Sequence, residues 1–225
     1  MKMAYFSRIL PTLEEFKVPE RDFELTEGVK IPVGEITEIC GSPGGGKTNY
    51  LHRLAAYVAE NQEYKVLFMD VDHSFRPEII QNNAQKVLSS IYTYSPLDVE
   101  DFVSKVKLFK KKVNVPIFIL VDTITNLFTR TEHPDKRRRE ILQIGDFLRK
   151  QVSDRDTIVL SNQIRSTIKR EDLKEKEKRV FDPWRGDIWE EHGFIPALGT
   201  LWAYVIDNRL LLKRIGGNKV FLPVF

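Results

Sequence analysis

Apolar residues in this chain gather in short runs separated by stretches of helical spacing, and that alternation predicts an α/β architecture. Ile36 to Cys40 (ITEIC), Val66 to Met69 (VLFM), Ile117 to Val121 (IFILV) and Thr157 to Leu160 (TIVL) have strand length. The unbroken apolar runs VLFM and IFILV suit strands covered on both faces, as in a parallel sheet. Between them, Leu51, Leu54, Ala55, Val58 and Ala59 line one face of a helix. Val99, Phe102, Val103 and Val106 line a second, with Ser95 and Pro96 as its expected start. Ile141, Ile144, Leu148 and Val152 form the stripe of a third, over residues 138–152. Near the end, Arg209 to Lys213 and Lys219 to Leu222 flank Gly216-Gly217-Asn218, a hairpin signal. The expected fold is a mainly parallel twisted sheet with helices on both faces and a C-terminal antiparallel hairpin.

Residues 1–34 have mixed polarity, with Pro11, Pro19 and Pro32, and are expected to form a lead-in segment ahead of a core at 35–225. Tyr5, Phe6, Ile9 and Leu10 suggest that this segment docks on a partner. Residues 164–198 look irregular, and 169–179 are charged at every position except Leu173.

Composition narrows the picture only a little. A formal net charge of +3, from 35 basic and 32 acidic side chains, permits a local basic patch but not a cationic field over the whole protein. Cys40 is the single cysteine, which excludes an internal disulfide and suits a reducing compartment. Apolar runs of strand length predict no bilayer span, and MKMAYFSRIL shows no secretory signal, so a soluble intracellular protein is expected.

The chemistry concentrates in GSPGGGKT, residues 41–48, which matches G-x-x-x-x-G-K-[ST] between a predicted strand and a predicted amphipathic helix. Gly41, Ser42, Pro43, Gly44, Gly45, Gly46, Lys47 and Thr48 form the candidate nucleotide site. Glycines let backbone N–H groups converge on phosphate oxygens, and the helix N-terminus adds a favourable dipole. Lys47 is placed to neutralise the terminal phosphates of ATP, and the Thr48 hydroxyl to coordinate Mg²⁺. Asp122, closing IFILVD, is the matching carboxylate at a strand tip, a further nucleotide and Mg²⁺ contact.

Further motifs carry a family resemblance. MDVDHSFRPEII (69–80), SNQI (161–164) and FIPALGTLWAYVIDNRLLLKR (194–214), in order after the P-loop, resemble the RecA/RadA recombinases of homologous recombination. The likeness is stronger to the shorter eukaryotic paralogues than to the recombinase itself. It implies a RecA-type P-loop ATPase core, with Asp72 in the place of the catalytic glutamate and Gln163 as the γ-phosphate sensor. From the residues alone, Gln163 has an alternative reading as a strand-end group capping a loop. Arg76 and Glu78 stand where the family has Arg-Pro-Glu.

The departures shape the expected activity. Asp72 is one methylene shorter than glutamate, and misplacement of a catalytic group by ~1 Å can cost ~10²-fold in rate, so slow DNA-dependent ATP hydrolysis is expected. Residues 1–34 hold no Phe-x-x-Ala hook, and the chain begins almost at the ATPase core. A protein that does not build filaments alone is expected, working in a hetero-oligomer with another recombinase paralogue on a recombinase filament. The resemblance further implies single-stranded DNA as a partner, no membrane, and a nuclear location.

Two basic regions are candidates for the DNA contact. Lys136, Arg137, Arg138 and Arg139 stand where the family has its first DNA loop, and read alternatively as a solvated helix start or an import signal. Arg165, Lys169 and Arg170, followed by Phe181, Trp184 and Trp189, stand where it has its second. That segment reads as a base-stacking surface, a docking site for a protein, or a solvated mixed-charge run. The competing functions are a fast stand-alone DNA-dependent ATPase or recombinase, and a nucleotide-gated scaffold without DNA contact.

Overall fold

The computed structural model describes residues 23–26, 29–61, 63–80, 87–153, 155–166, 194–215 and 218–223. Tyr5, Phe6, Ile9 and Leu10, and the loop positions Lys169, Arg170, Phe181, Trp184 and Trp189, lie outside the described residues.

Ten strands and four α-helices alternate along the described chain. A small hairpin, β1 (Phe23–Thr26) and β2 (Val29–Ile31), precedes the main sheet. The strands β3 (Ile36–Gly41), β4 (Lys65–Asp70), β5 (Ile91–Tyr94), β6 (Ile117–Asp122) and β7 (Thr157–Ser166) follow. The last three are β8 (Phe194–Pro196), β9 (Asn208–Ile215) and β10 (Asn218–Pro223). The sheet order is β10-β9-β3-β7-β6-β4-β5, with β8 paired to β7. Pairings from β9 through β5 are parallel; β10 on β9 and β8 on β7 are antiparallel. This is the RecA-type α/β architecture that the motif order implies, hairpin included.

Period-two alternation decides which side chain meets which layer. Val66, Phe68, Phe118, Leu120 and Val159 face one layer with α1 (Lys47–Glu60), whose Leu51, Leu54, Ala55 and Val58 complete that core. Leu67, Met69, Ile119, Val121, Ile158 and Leu160 face the other. There they meet α2 (Val99–Lys112), α3 (Pro134–Gln151) and the short α4 (Gly199–Ala203). Part of the expected lead-in segment belongs to the core: Phe23 packs edge-on against Tyr64 and Phe118, beside α1.

Several boundaries differ from the sequence reading. The second helix starts at Val99 because Asp98 caps it, its carboxylate accepting from the Asp101 N–H at 2.8 Å; Ser95 and Pro96 stay outside. The third starts at Pro134, four residues earlier than its apolar stripe suggests, because proline suits a first helical turn whose N–H groups have no helical acceptor. Lys136 to Arg139 therefore occupy its first two turns. Strand β7 runs on to Ser166 through polar residues, and β5 is a short half-exposed edge strand that the apolar pattern does not reveal. No helix among the described residues is long and apolar enough to cross a membrane.

Candidate phosphate-binding site

Parallel strands deliver their following loops to one end of a sheet, and in such folds ligands bind where those loops gather. Here β3 leads into GSPGGGKT and then α1. The turn closes through the Gly45 N–H, which donates to the Ser42 carbonyl at 3.0 Å. Gly44 and Gly46 hold φ values of 72° and 101°, which side-chain-bearing residues rarely adopt. At Gly41 the constraint is space: a Cβ there would stand 2.9 Å from the Leu212 carbonyl oxygen of β9. Backbone thus lies against backbone where β3 pairs with β9, with no side chain between the two strands at the point where the loop begins.

Lys47 is 7% exposed, and its ammonium donates to the Gly41 and Ser42 carbonyls at 2.9 and 3.1 Å. An ammonium has three N–H donors, so one remains beyond those two. Burial lowers the Lys47 pKa below the usual lysine range, while Asp122, Cys40 and Asp72 pull it back up. The positive charge is therefore held under a burial penalty, with both candidate carboxylates within its field. Thr48 opens α1 beside it, and its carbonyl accepts from His52 Nδ1 at 2.7 Å. His52 Nε2 in turn accepts from the Arg76 N–H at 2.8 Å, which fixes the proton on Nδ1. Through this ring the first turn of the helix is tied to the segment that follows Asp72.

Asp122 is fully buried at the end of β6, alongside Asp70 of β4. Its Oδ1 accepts from Ser161 Oγ at 2.6 Å and Thr123 Oγ1 at 3.1 Å, and its Oδ2 from Ser74 Oγ at 3.1 Å. Three hydroxyl donors hold the carboxylate in place and compensate part of its burial. Its main-chain carbonyl accepts from the N–H groups of Val71 and Asp72, at 2.8 and 3.1 Å, so Asp72 is hung from the same strand end. Asp70 folds the loop itself, its two oxygens accepting from the Ser74 and Phe75 N–H groups at 2.7 and 3.1 Å.

Asp72 is exposed, and its Oδ1 accepts from Asn126 Nδ2 at 2.7 Å. Asn126 lies in the 3₁₀ turn Ile124–Phe128 after β6, and its Oδ1 accepts from Gln163 Nε2 at 3.5 Å. The loop Gly41 to Thr48, Asp72, Asp122 and Gln163 thus meet at one end of the sheet. Among the described residues no hydrogen bond or ion pair joins Arg137, Arg138, Arg139 or Arg165 to that group; Arg138, Arg139 and Arg165 are exposed.

Below the site lies a polar cluster that the sequence reading did not find. Glu38 of β3 is fully buried, and its Oε1 accepts from Asn162 Nδ2 at 2.6 Å and Trp202 Nε1 at 2.8 Å. Its Oε2 accepts from Cys40 Sγ at 3.2 Å and pairs with Arg209 Nε. Asn162 Oδ1 accepts from Thr125 Oγ1 at 2.5 Å, and Thr125 Oγ1 accepts from the Gln163 N–H at 3.3 Å. The segment that holds Trp202 is thereby connected to Gln163. A lone carboxylate inside ITEIC was the available signal for Glu38; nothing in TITNLF marks Asn126.

No protein-family model matches the chain. It is 25% identical, over an alignment of 218 residues, to DNA repair protein RAD51 homolog 2 of Arabidopsis thaliana; this covers 84% of the chain and 58% of that protein. It is 28% identical over 151 residues to DNA repair and recombination protein RadB of Methanococcoides burtonii, covering 63% of the chain and 66% of RadB. With DNA repair protein RAD51 homolog 3 of Dictyostelium discoideum it shares 24% identity over 217 residues, covering 80% and 52%. The chain spans between half and two thirds of the length of these relatives.

Proposed function

We propose that this chain, a member of the RecA/RadA recombinase family, binds ATP and Mg²⁺ and serves homologous-recombination DNA repair as a recombinase paralogue. The observation that carries the nucleotide site is the buried Lys47 ammonium, seated on the Gly41 and Ser42 carbonyls at 2.9 and 3.1 Å within the field of Asp122 and Asp72. The names of its relatives, which are repair and recombination proteins, support the process.

The residues fit that ligand. Loop N–H groups and the remaining Lys47 donor suit phosphate oxygens, and the Thr48 hydroxyl and Asp122 would hold Mg²⁺. Bound Mg-ATP supplies the phosphoryl group and the charge that the loop organises around. Asp72 is the group that would orient a water, and Gln163 the one that would register the γ-phosphate. Asp72 is a short carboxylate already held by Asn126 at 2.7 Å, which favours slow turnover and a role for ATP as a conformational ligand.

The finer reading is a mediator that binds and remodels or stabilises the recombinase filament on single-stranded DNA, in a nuclear hetero-oligomer with another paralogue. Arg137, Arg138, Arg139 and Arg165, with Lys169 and Arg170, are the basic residues proposed to meet DNA. Light scattering of the purified chain with ATP and single-stranded DNA tests assembly: long self-filaments would contradict a mediator and favour a stand-alone recombinase. Calorimetry tests the site. Lys47→Ala removes charge-assisted hydrogen bonds of ~1.5–3 kcal/mol each and is expected to weaken Mg-ATP at least ~10-fold; equal affinities for both proteins would refute the assignment.

A further inference from the structure

Asp72, Asn126 and Gln163 belong to three neighbouring strand ends. Asp72 follows β4, Asn126 sits in the turn after β6, and Gln163 lies in β7, and these strands adjoin in that order. Asn126 touches both others: Nδ2 donates to Asp72 Oδ1 at 2.7 Å, and Oδ1 accepts from Gln163 Nε2 at 3.5 Å. Its backbone is held as well, the N–H donating to the Thr123 carbonyl at 3.0 Å and the carbonyl accepting from Thr129 Oγ1 at 2.8 Å.

The polarity of this file follows from the chemistry of its members. An ionised carboxylate can only accept, so the amide nitrogen of Asn126 must face Asp72 and its oxygen is turned to Gln163. An amide oxygen also only accepts, so Gln163 must present Nε2 to Asn126 and direct Oε1 elsewhere. The 3.5 Å contact is long and weak by itself; the shorter 2.7 Å bond at the charged end sets its direction. The Gln163 backbone is fixed independently. Its N–H donates to Thr125 Oγ1 at 3.3 Å and its carbonyl accepts from the Ala197 N–H at 2.9 Å. What Asn126 leaves to decide is the orientation of the Gln163 side chain.

We infer that Asn126 is a positioning residue that couples Asp72 to Gln163, so that the two respond to a γ-phosphate as one unit. The inference rests on the nucleotide-binding reading above. Coupling of this kind shows as discrimination between ATP and ADP, and as non-additivity between the coupled positions.

Calorimetry on the full chain with Mg-ADP and a non-hydrolysable Mg-ATP analogue tests it, using Asn126→Ala, Gln163→Ala and their double variant. Asn126→Ala is expected to reduce the preference for the ATP analogue about 5- to 10-fold while leaving ADP affinity unchanged. Gln163→Ala should do the same, and the double variant no more than the larger single effect. Nitrogen-15 spectra supply a readout without nucleotide. The Gln163 side-chain amide signal should move on Asp72→Asn, and should stay in place on that change in an Asn126→Ala background. Additive effects, equal losses for both nucleotides, or a Gln163 signal that follows Asp72 without Asn126 would overturn the inference. A wild-type chain that binds neither nucleotide would overturn the nucleotide-binding reading first, and is distinguishable because the Asn126 variant then has no preference to lose.

Discussion

Glu38 is a side chain whose removal should cost this fold heavily. Replacing it with alanine takes the acceptor from four donors at once: Asn162 Nδ2, Trp202 Nε1, Cys40 Sγ and Arg209 Nε. Removing one partner of a buried ion pair costs about 3–5 kcal/mol. A buried N–H left without its acceptor costs about 1–3 kcal/mol, and two are at stake in Trp202 and Asn162. These contributions overlap, because local relaxation serves several groups together, so a loss of about 5 kcal/mol is expected. Set against total stabilities of ~5–15 kcal/mol for single domains, that brings the variant to the margin of folding. Arg209→Met leaves the carboxylate buried but keeps Asn162, Trp202 and Cys40 as its donors, so it should cost about 3 kcal/mol, the lower end of that range. Urea unfolding followed by circular dichroism measures both, with the slope showing whether the unfolded state has changed. Should Glu38→Ala fail to fold, Glu38→Gln keeps the size of the side chain and should lose about 3 kcal/mol. A loss below about 2 kcal/mol for Glu38→Ala, or an equal loss for Arg209→Met, would refute the view that the carboxylate holds the cluster together.

Three other outcomes follow from single observations. Gly145 packs against the turn that follows α4, where an added Cβ would stand 2.5 Å from Val205 Cγ2, so Gly145→Ala should destabilise by ~1–3 kcal/mol and Val205→Ala should restore most of the loss in the double variant. Lys47 in the free protein titrates below its ordinary 10.5, and bound phosphate would raise that value; ATP affinity should stay level below the free pKa and fall as pH rises through it, by up to ~10-fold per unit. Calorimetry between neutral pH and pH ~10 reads that slope, and Lys47→Arg should flatten it because arginine keeps its proton throughout. Burial, and then the neighbouring Glu38, push the Cys40 thiol well above its usual range, so iodoacetamide should label it only as the protein unfolds, and rapid labelling of the native chain would contradict its burial.

What could be read in advance was whatever neighbours along the chain determine. The phosphate-loop motif is eight consecutive residues, so GSPGGGKT stood out in the sequence as a candidate site, and so did Asp122 at the end of an apolar run. The strand runs and the helical stripes were legible because burial on two faces, or on one, imposes a period on the sequence. Local pattern failed where exposure blurred that period: at edge strand β5, in the polar continuation of β7, and at the start of α3, where Pro134 precedes the apolar stripe. The order of the strands is not a local property. Only the arrangement β9-β3-β7-β6-β4, with α4 packed beneath it, brings Ser161 and Ser74 onto Asp122, places Asn126 between Asp72 and Gln163, and closes Asn162, Trp202 and Arg209 around Glu38. Those partners stand 37 to 171 residues apart along the chain, and a side chain carries no mark of the distant group that will satisfy it until packing has chosen its neighbours.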